Sequence, residues 1–344
     1  VQSILNDVRK NGDSAVKKYE RKFNGTKTSQ LRVSEKEIKE AQSKISNQER
    51  EAIQVMRNTL SWQESEYLKI LPSYKYNERD DYIRTAKSFT PIPSVGCYIP
   101  GGQARYPSSA VMSVTPAKIA GVKRIVVVSP PGRDGKIDPL TIAAAKMCGA
   151  TEIYKVGGAQ AIGALAHGTK SIPKVDKIVG PGGKFVSIAK SLVSDQTPID
   201  MIAGPTELGI IADASSDPEL AALDLISQAE HSKDTMCFVI TQSKTMAKQI
   251  KKSVEKLVLG TERSSIIKES ISKNGFIAVC KNQNEVIELA NKIAPEHMEL
   301  MVKNAKSLSK KITGAGLVLI GKNTPSAASD YILGTNHILP TNGF

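Results

Sequence analysis

The chain has 344 residues, a formal net charge of +13 and a hydrophobic fraction of 40%, and its length predicts two domains of ordinary size. Charged residues make up 24% and aromatic residues 5% of the chain, which excludes a generally disordered protein. No apolar stretch reaches the roughly 18 residues that a membrane helix needs, so we expect no membrane partner.

Residues 1–90 are predicted to be helical, because apolar residues recur at helical spacing, as Ile53 and Leu60 do. Ser34 and Glu37 have the spacing of a capping box in front of a long charged helix. No strand is expected before about residue 80, because no run of β-branched residues occurs there.

After Thr90, short β-branched runs alternate with alanine-rich segments. The predicted strands are 124–128, 152–156, 177–179, 207–211, 236–241, 276–279 and 317–320. The predicted helices are 141–147, 160–166, 184–192, 218–231 and 246–257. This alternation predicts two similar α/β cores with mostly parallel sheets, joined near Ala203. In such sheets, ligands bind at the carboxyl ends of the strands.

Charge and cysteine content exclude several classes of protein. Lysine and arginine are spread singly or in pairs, so a solvated surface explains the excess charge and no nucleic-acid partner is expected. Segment 191–240 is instead strongly acidic. The four cysteines form no C-x-x-C pair, which argues against a zinc ribbon or a redox motif. Free cysteines in apolar runs favour a reducing, cytoplasmic location.

Two histidines lie in candidate functional clusters. Gln228 and His231 are three residues apart near the end of a predicted helix, so an amide oxygen and an imidazole could both serve a metal ion. The alternative is an exposed helix end. Glu296 and His297 are adjacent and could divide acid–base work between them. The alternative here is a solvated turn after a helix.

Other candidate residues give weaker signals. Asp330 could complete a Gln/His/Asp set for a zinc-like ion. Tyr98 and Gln160 lie beside glycine turns, where a ligand can approach the backbone closely. A structural role is expected for His337 and a helix-capping role for His167. No G-x-G-x-x-G fingerprint follows any strand, so the residues alone do not predict a dinucleotide site.

Taken together, several strings resemble the histidinol dehydrogenase family, in order and along essentially the whole chain. The matching stretches are Tyr-Ile-Pro-Gly-Gly (98–102), Pro-Ala-Lys-Ile-Ala-Gly (116–121), Val-Gly-Gly-Ala-Gln-Ala-Ile (156–162), Val-Asp-Lys-Ile-Val-Gly-Pro-Gly (175–182), Ile-Asp-Met-Ile-Ala-Gly-Pro-Thr-Glu (199–207), Ser-Gln-Ala-Glu-His (227–231), Pro-Glu-His (295–297) and Asp-Tyr-Ile-Leu-Gly-Thr-Asn-His-Ile-Leu-Pro-Thr (330–341).

The resemblance implies oxidation of L-histidinol through histidinaldehyde to L-histidine, the last step of histidine biosynthesis, with two NAD⁺ and a bound zinc ion. It implies an acid–base pair, Glu296 and His297. The implied zinc ligands are Gln228, His231 and Asp330. The implied cofactor contacts are Tyr98, Gln160 and Gly183. The implied substrate contacts are Thr206, Gln228, His231, His297 and Asp330.

The resemblance also implies a fold of two Rossmann-like, three-layer α/β domains with an N-terminal helical arm, in a homodimer. The expected domains are 1–97 with 206–344, and 98–205. The chain departs from the family at Gly183, where asparagine is usual, and at Thr206, where serine is usual. A C-terminal swapped segment with a further zinc-ligand histidine and a substrate-binding glutamate is absent, and with Val1 as the first residue we expect a fragment of a longer chain.

Three other functions stay open at this point. One is a related zinc- and NAD-dependent alcohol dehydrogenase that acts on another substrate. The second is an inactive, truncated paralogue that only dimerises. The third, a basic nucleic-acid-binding protein, would bind nucleic acid in a strongly salt-sensitive way. The intact Gln228/His231/Asp330 and Glu296/His297 sets favour histidinol oxidation over the first, and the lack of a basic block argues against the third.

Overall fold

A computed structural model of the chain describes residues 1–26, 30–71, 75–79, 83–101, 105–202 and 204–341, with only the backbone described at 75–79. Gly102 and Ala203, which belong to the matching stretches, therefore lie outside the described residues. Within the described part, the chain forms α-helices and strands in alternating order from residue 94 onward.

The helices are α1 (Gln2–Asn11), α2 (Asp13–Asn24), α3 (Glu35–Lys44), α4 (Asn47–Ile70), α5 (Pro107–Ile119), α6 (Pro139–Cys148), α7 (Gly158–His167), α8 (Lys184–Val193), α9 (Pro218–Ala229), α10 (Lys244–Leu257), α11 (Ser264–Asn274), α12 (Gln283–Ile293), α13 (Ala305–Ser309) and α14 (Ser326–Tyr331). The strands are β1 (Lys75–Arg79), β2 (Ile83–Lys87), β3 (Ser94–Tyr98), β4 (Arg124–Ser129), β5 (Glu152–Lys155), β6 (Lys177–Val179), β7 (Glu207–Ala212), β8 (Met236–Thr241), β9 (Phe276–Val279), β10 (His297–Met301) and β11 (Leu317–Ile320).

The chain divides into two compact units. The first comprises Val1–Ile202 and Ile332–Ile338, and the second comprises the remaining described residues. This division differs from the expected domains, because α4 packs its Ile53 and Leu60 into the same core as Val95 of β3. The assignment of residues 1–97 to a domain with 206–344 remains a prediction from the resemblance.

The first unit is built on a four-stranded parallel sheet with the order β5-β4-β3-β6. Alternate residues of β4 face opposite sides, so Val127 packs with α5 and α6, whereas Val126 packs with α1, α2 and α7. The strand order reverses between β3 and β6. At this point Gly180 (φ 108°) passes so close to β3 that a Cβ would lie 2.2 Å from the carbonyl oxygen of Tyr98, and only glycine fits.

The second unit is built on a five-stranded parallel sheet with the order β11-β10-β7-β8-β9. Ile210 of β7 packs with α9, α10 and α11 on one face, and Ile211 packs with α12 and α13 on the other. The predicted three-layer α/β architecture is therefore confirmed in each unit. The register pairs His297 with Leu208, which places the first residue of β10 beside the start of β7.

The N-terminal segment confirms one local prediction and corrects another. Ser34 and Glu37 form the predicted capping box at the start of α3. The expectation of no strand before about residue 80 is wrong, because β1 begins at Lys75 and pairs with β2 in an antiparallel hairpin. Every residue of β2 is exposed, so this strand has no buried apolar face to mark it in the sequence.

Three of the four cysteines lie in the core. Cys97, Cys148 and Cys237 are buried free thiols, and Cys280 is partly exposed. Among the described residues, no helix has both the length and the apolar character needed to cross a membrane.

Candidate active site

The candidate active site of the second unit lies at the start of strand β10. All five of its residues are buried, and His297, its first residue, is 2% exposed. Glu296, which precedes the strand, is 6% exposed. The alternative of a solvated turn is therefore wrong. Both residues lie at the amino ends of β10 and β7, whereas the general rule for parallel sheets places ligands at the carboxyl ends.

The imidazole of His297 lies between two carboxylates. Its Nδ1 is 3.8 Å from Oε2 of Glu296, and its Nε2 is 3.6 Å from Oδ1 of Asp330. Both distances exceed those of a hydrogen bond, and among the described residues neither ring nitrogen has a hydrogen-bond partner. Burial disfavours the imidazolium, but the two carboxylates outweigh it and raise the pKa of His297. The site thus favours a proton on this ring.

Glu296 is held by polar partners from the start of β7. The hydroxyl of Thr206 donates to its Oε2 at 2.5 Å, and the backbone N–H of Glu207 donates to the same oxygen at 3.2 Å. Burial raises the pKa of Glu296, although His297, Thr206 and Glu207 act in the opposite direction. A buried carboxylate with a raised pKa is a stronger base than a solvated one.

Gln228 connects these groups to α14. It is 2% exposed, its Nε2 donates to Oγ1 of Thr206 at 2.8 Å, and its Oε1 accepts from Oγ of Ser326 at 3.0 Å. Helix α9 ends at Ala229, two residues before the end of the predicted helix. Gln228 is therefore buried inside the site, whereas His231 lies beyond the helix and is exposed.

The predicted zinc ligands have compatible chemistry. Among the described residues, Oε1 of Gln228 accepts one hydrogen bond and keeps a second lone pair, and Oδ1 of Asp330 is buried without a hydrogen-bond partner. Nδ1 of His231 lies 3.0 Å from the carbonyl oxygen of Gln228, an arrangement that fixes the tautomer and leaves Nε2 for a metal. Among the described residues, no three His, Cys, Asp or Glu side chains lie within metal-binding range of one another. The predicted ligand set has only two such residues, His231 and Asp330, because its third ligand is a glutamine.

One buried acid near the site, Glu299, is not among the residues predicted from the sequence. Glu299 is fully buried, and its Oε1 accepts from the backbone N–H of Ser326 at 2.7 Å. Burial raises the pKa of Glu299 and of the partly buried Asp224, and repulsion by the Asp224 carboxylate raises the pKa of Glu299 further. Glu299 follows His297 by two residues, so recognition of β10 as a strand would have placed both on one face.

The predicted cofactor residues lie in the first unit. The phenolic oxygen of Tyr98, at the carboxyl end of β3, accepts from the backbone N–H of Gly158 at 3.1 Å. Gln160 is 1% exposed on α7, within the same turn. Burial raises the pKa of Tyr98 to about 12, so its hydroxyl stays protonated. Gly183 lies at the N-cap of α8, close to the end of β6.

The chain is similar to histidinol dehydrogenases over its full length. A sequence profile of that family matches residues 1–344. The chain is 43% identical to histidinol dehydrogenase of Bacillus cereus over 344 residues, which are 100% of this chain and 79% of that protein. It is 40% identical to histidinol dehydrogenase of Methanosarcina mazei, over 100% of this chain and 79% of that protein.

A solved structure agrees with these sequence matches. The crystal structure of histidinol dehydrogenase from Elizabethkingia anophelis superposes with a TM-score of 0.95 at 35% identity, covering 99% of this chain and 78% of the other. Profile, sequence identity and structure thus agree along the whole chain. This chain belongs to the histidinol dehydrogenase family.

Proposed function

We propose that this protein oxidises L-histidinol through L-histidinaldehyde to L-histidine and reduces two molecules of NAD⁺. The observation that carries the proposal is the buried imidazole of His297 between the carboxylates of Glu296 and Asp330, in a chain of this family. An alcohol oxidation needs a base for the hydroxyl proton, and this imidazole is the group best placed to serve.

The reaction comprises two oxidations. In the first, the alcohol loses a hydride from carbon and a proton from oxygen and becomes the aldehyde. In the second, water adds to the aldehyde, and the hydrate loses a hydride and a proton and becomes the carboxylic acid. NAD⁺, when bound, accepts one hydride in each oxidation.

His297 is proposed to accept the hydroxyl proton in each oxidation. The carboxylates of Glu296 and Asp330 stabilise the imidazolium that forms, as the raised pKa of His297 indicates. Because the ring is almost fully buried, bulk water does not weaken this interaction.

Glu296 is proposed to remove a proton from the water that attacks the aldehyde. Burial raises the pKa of the Glu296 carboxyl towards neutral pH, which makes its carboxylate a stronger base. The hydroxyl of Thr206 and the N–H of Glu207 hold the accepting oxygen in one place, so little reorganisation is needed before the proton moves.

Gln228, His231 and Asp330 would hold a zinc ion, with their unused lone pairs as ligands. Zinc, when bound, would orient the amino and imidazole nitrogen atoms of the substrate. Thr206 and His297 would complete the substrate contacts. The hydrogen bond from Ser326 to Gln228 would keep the amide oxygen in a fixed orientation for its ligand.

Further proposals rest on the resemblance. Tyr98, Gln160 and Gly183 would contact NAD⁺, which the strand-order reversal between β3 and β6 supports, because dinucleotides bind at such points. We also propose a homodimer. A cytoplasmic location is supported by the free thiols.

Replacement of His297 by asparagine tests the proposal. We expect kcat for histidinol-dependent NADH formation to fall about 10²–10⁴-fold, the usual contribution of a general base, while KM for histidinol changes little. His167→Asn is the matched control, because His167 lies at the end of α7 in the first unit and should leave kcat unchanged. Equal kcat values for His297→Asn and the wild type would contradict the role of His297.

A further inference from the structure

Glu20 of α2 is a fully buried carboxylate in the first unit that the proposed reaction does not use. It accepts three hydrogen bonds from neutral donors. The backbone N–H of Gly157 and Nε2 of Gln160 donate to its Oε1 at 2.9 and 2.7 Å, and Nδ2 of Asn24 donates to its Oε2 at 2.6 Å. Burial raises the pKa of Glu20, and the three donors lower it. Burying a carboxylate with no cation beside it costs free energy. We therefore expect Glu20 to have a specific role.

The carboxylate determines which way the side-chain amide of Gln160 points. Its NH₂ group must face Glu20, since only that end of the amide can donate. The carbonyl oxygen Oε1 therefore faces away from Glu20. This oxygen is buried, and among the described residues it has no hydrogen-bond partner.

The space beside this oxygen is kept open by a glycine. Gly158 has φ +61°, and a Cβ at this position would lie 3.0 Å from Oε1 of Gln160. The N–H of Gly158 donates to the hydroxyl oxygen of Tyr98, which leaves the phenolic proton free to act as a donor. Within the described ranges, an acceptor without a partner and a hydroxyl that can still donate therefore lie at one turn. A buried acceptor left unsatisfied costs free energy unless a ligand supplies a donor.

We propose that Glu20 is a positioning residue for the cofactor. It holds the Gln160 amide so that Oε1 accepts a hydrogen bond from an N–H or O–H donor of NAD⁺, and it anchors the Gly157–Gly158 turn through the N–H of Gly157. This inference rests on the proposed use of NAD⁺ at Gln160. Glu20 itself does not contact the cofactor and acts through Gln160.

Calorimetric titration of NAD⁺ into the protein tests this role without a turnover assay. Glu20→Met removes the acceptor for Gln160 and should raise the dissociation constant of NAD⁺ about tenfold, as expected for the loss of one well-oriented hydrogen bond. Glu20→Gln can keep an acceptor oxygen towards Gly157 and Gln160 and should stay within about threefold of wild type. Asn24→Ala is the matched control, because it removes only the partner of the other carboxylate oxygen, and it should leave the affinity unchanged.

A double-mutant cycle separates positioning through Gln160 from a general loss of structure. Gln160→Leu removes the presented oxygen, so adding Glu20→Met to it should weaken NAD⁺ binding little further. In turnover assays, Glu20→Met should raise KM for NAD⁺ and leave KM for histidinol unchanged. If Glu20→Met does not fold, Glu20→Asp tests the same contact, because it withdraws the carboxylate by about 1.5 Å.

The outcomes also separate this inference from the proposed function. Wild-type NAD⁺ affinity in Glu20→Met, or full additivity of Glu20→Met and Gln160→Leu, would overturn the positioning role while NAD⁺ binding by the wild type stands. Failure of the wild-type protein to bind NAD⁺ would overturn the proposed function and this inference together.

Discussion

Thr206 shows how one hydroxyl can organise a site. It accepts from Gln228 and donates to Glu296, so a proposed metal ligand and a proposed base share one bridging residue. Serine, which the family resemblance leads us to expect at this position, would supply the same hydroxyl. The extra methyl of threonine restricts the side-chain rotamers, which favours the bridging orientation.

Gly183, the other departure from the family pattern, gives a test at the residue scale. A Cβ at Gly183 would meet no atom within 4 Å, and the backbone there has φ −64°. Asparagine is also a good N-cap residue. Gly183→Asn should therefore leave the free energy of unfolding unchanged or raise it by up to about 0.5 kcal/mol, and it should tighten NAD⁺ binding, as thermal unfolding and calorimetry would measure.

The neighbouring glycine provides the control for that substitution. A Cβ at Gly182 would lie 2.3 Å from Cγ1 of Val186, so Gly182→Asn should destabilise the protein by more than about 1 kcal/mol. Equal destabilisation by the two substitutions would show that position 183 is not open to a side chain.

At the scale of elements, a buried ion pair holds the end of β6 against α8. Lys190, 2% exposed, pairs with Asp200 and donates to the carbonyl oxygen of Gly180 at 2.9 Å. Asp200 accepts in turn from the N–H of Gly180 at 2.7 Å. The two side chains thus satisfy both backbone groups of the glycine at the strand-order reversal.

Removal of this lysine should be costly. Lys190→Met leaves a largely buried carboxylate unpaired, so we expect a loss of about 3 kcal/mol in the free energy of unfolding, measured by denaturant titration. Lys18→Met is the control, because the Lys18–Asp7 pair has a lysine that is mostly exposed and contributes little. A small, similar effect in both variants would contradict the structural role of Lys190.

The strands show what the sequence could and could not predict. The β-branched runs locate β4 to β9 and β11 within one residue, because parallel strands are rich in β-branched residues, even where a strand is partly exposed, as β9 and β11 are. The sequence did not predict β1 and β2, which lie in the segment expected to be helical, or the sheet strands β3 and β10. The run His297–Met301 carries two ionisable residues that are fully enclosed, so the chemistry of the site disrupts the apolar pattern that would identify the strand.

At the scale of the whole molecule, the candidate residues were predicted from two signals, the spacing of residues in the sequence and the resemblance to a family. Spacing alone left Gln228/His231 and Glu296/His297 open between function and structure, because residues near in sequence need not meet in space. The structure brings Asp330 to the adjacent pair Glu296 and His297, although Asp330 lies 33 residues after His297 in the chain. Glu20 could not be found from the sequence, since its partner Gln160 lies 140 residues away.

The central claim is a double oxidation within one active site, and the most direct measurement is its stoichiometry. Wild-type protein with zinc, excess NAD⁺ and a limiting amount of L-histidinol should form two NADH for each histidinol consumed, with L-histidine as the product identified by mass spectrometry. One NADH for each histidinol with free histidinaldehyde, or NADH formation from other alcohols but not from histidinol, would contradict the account.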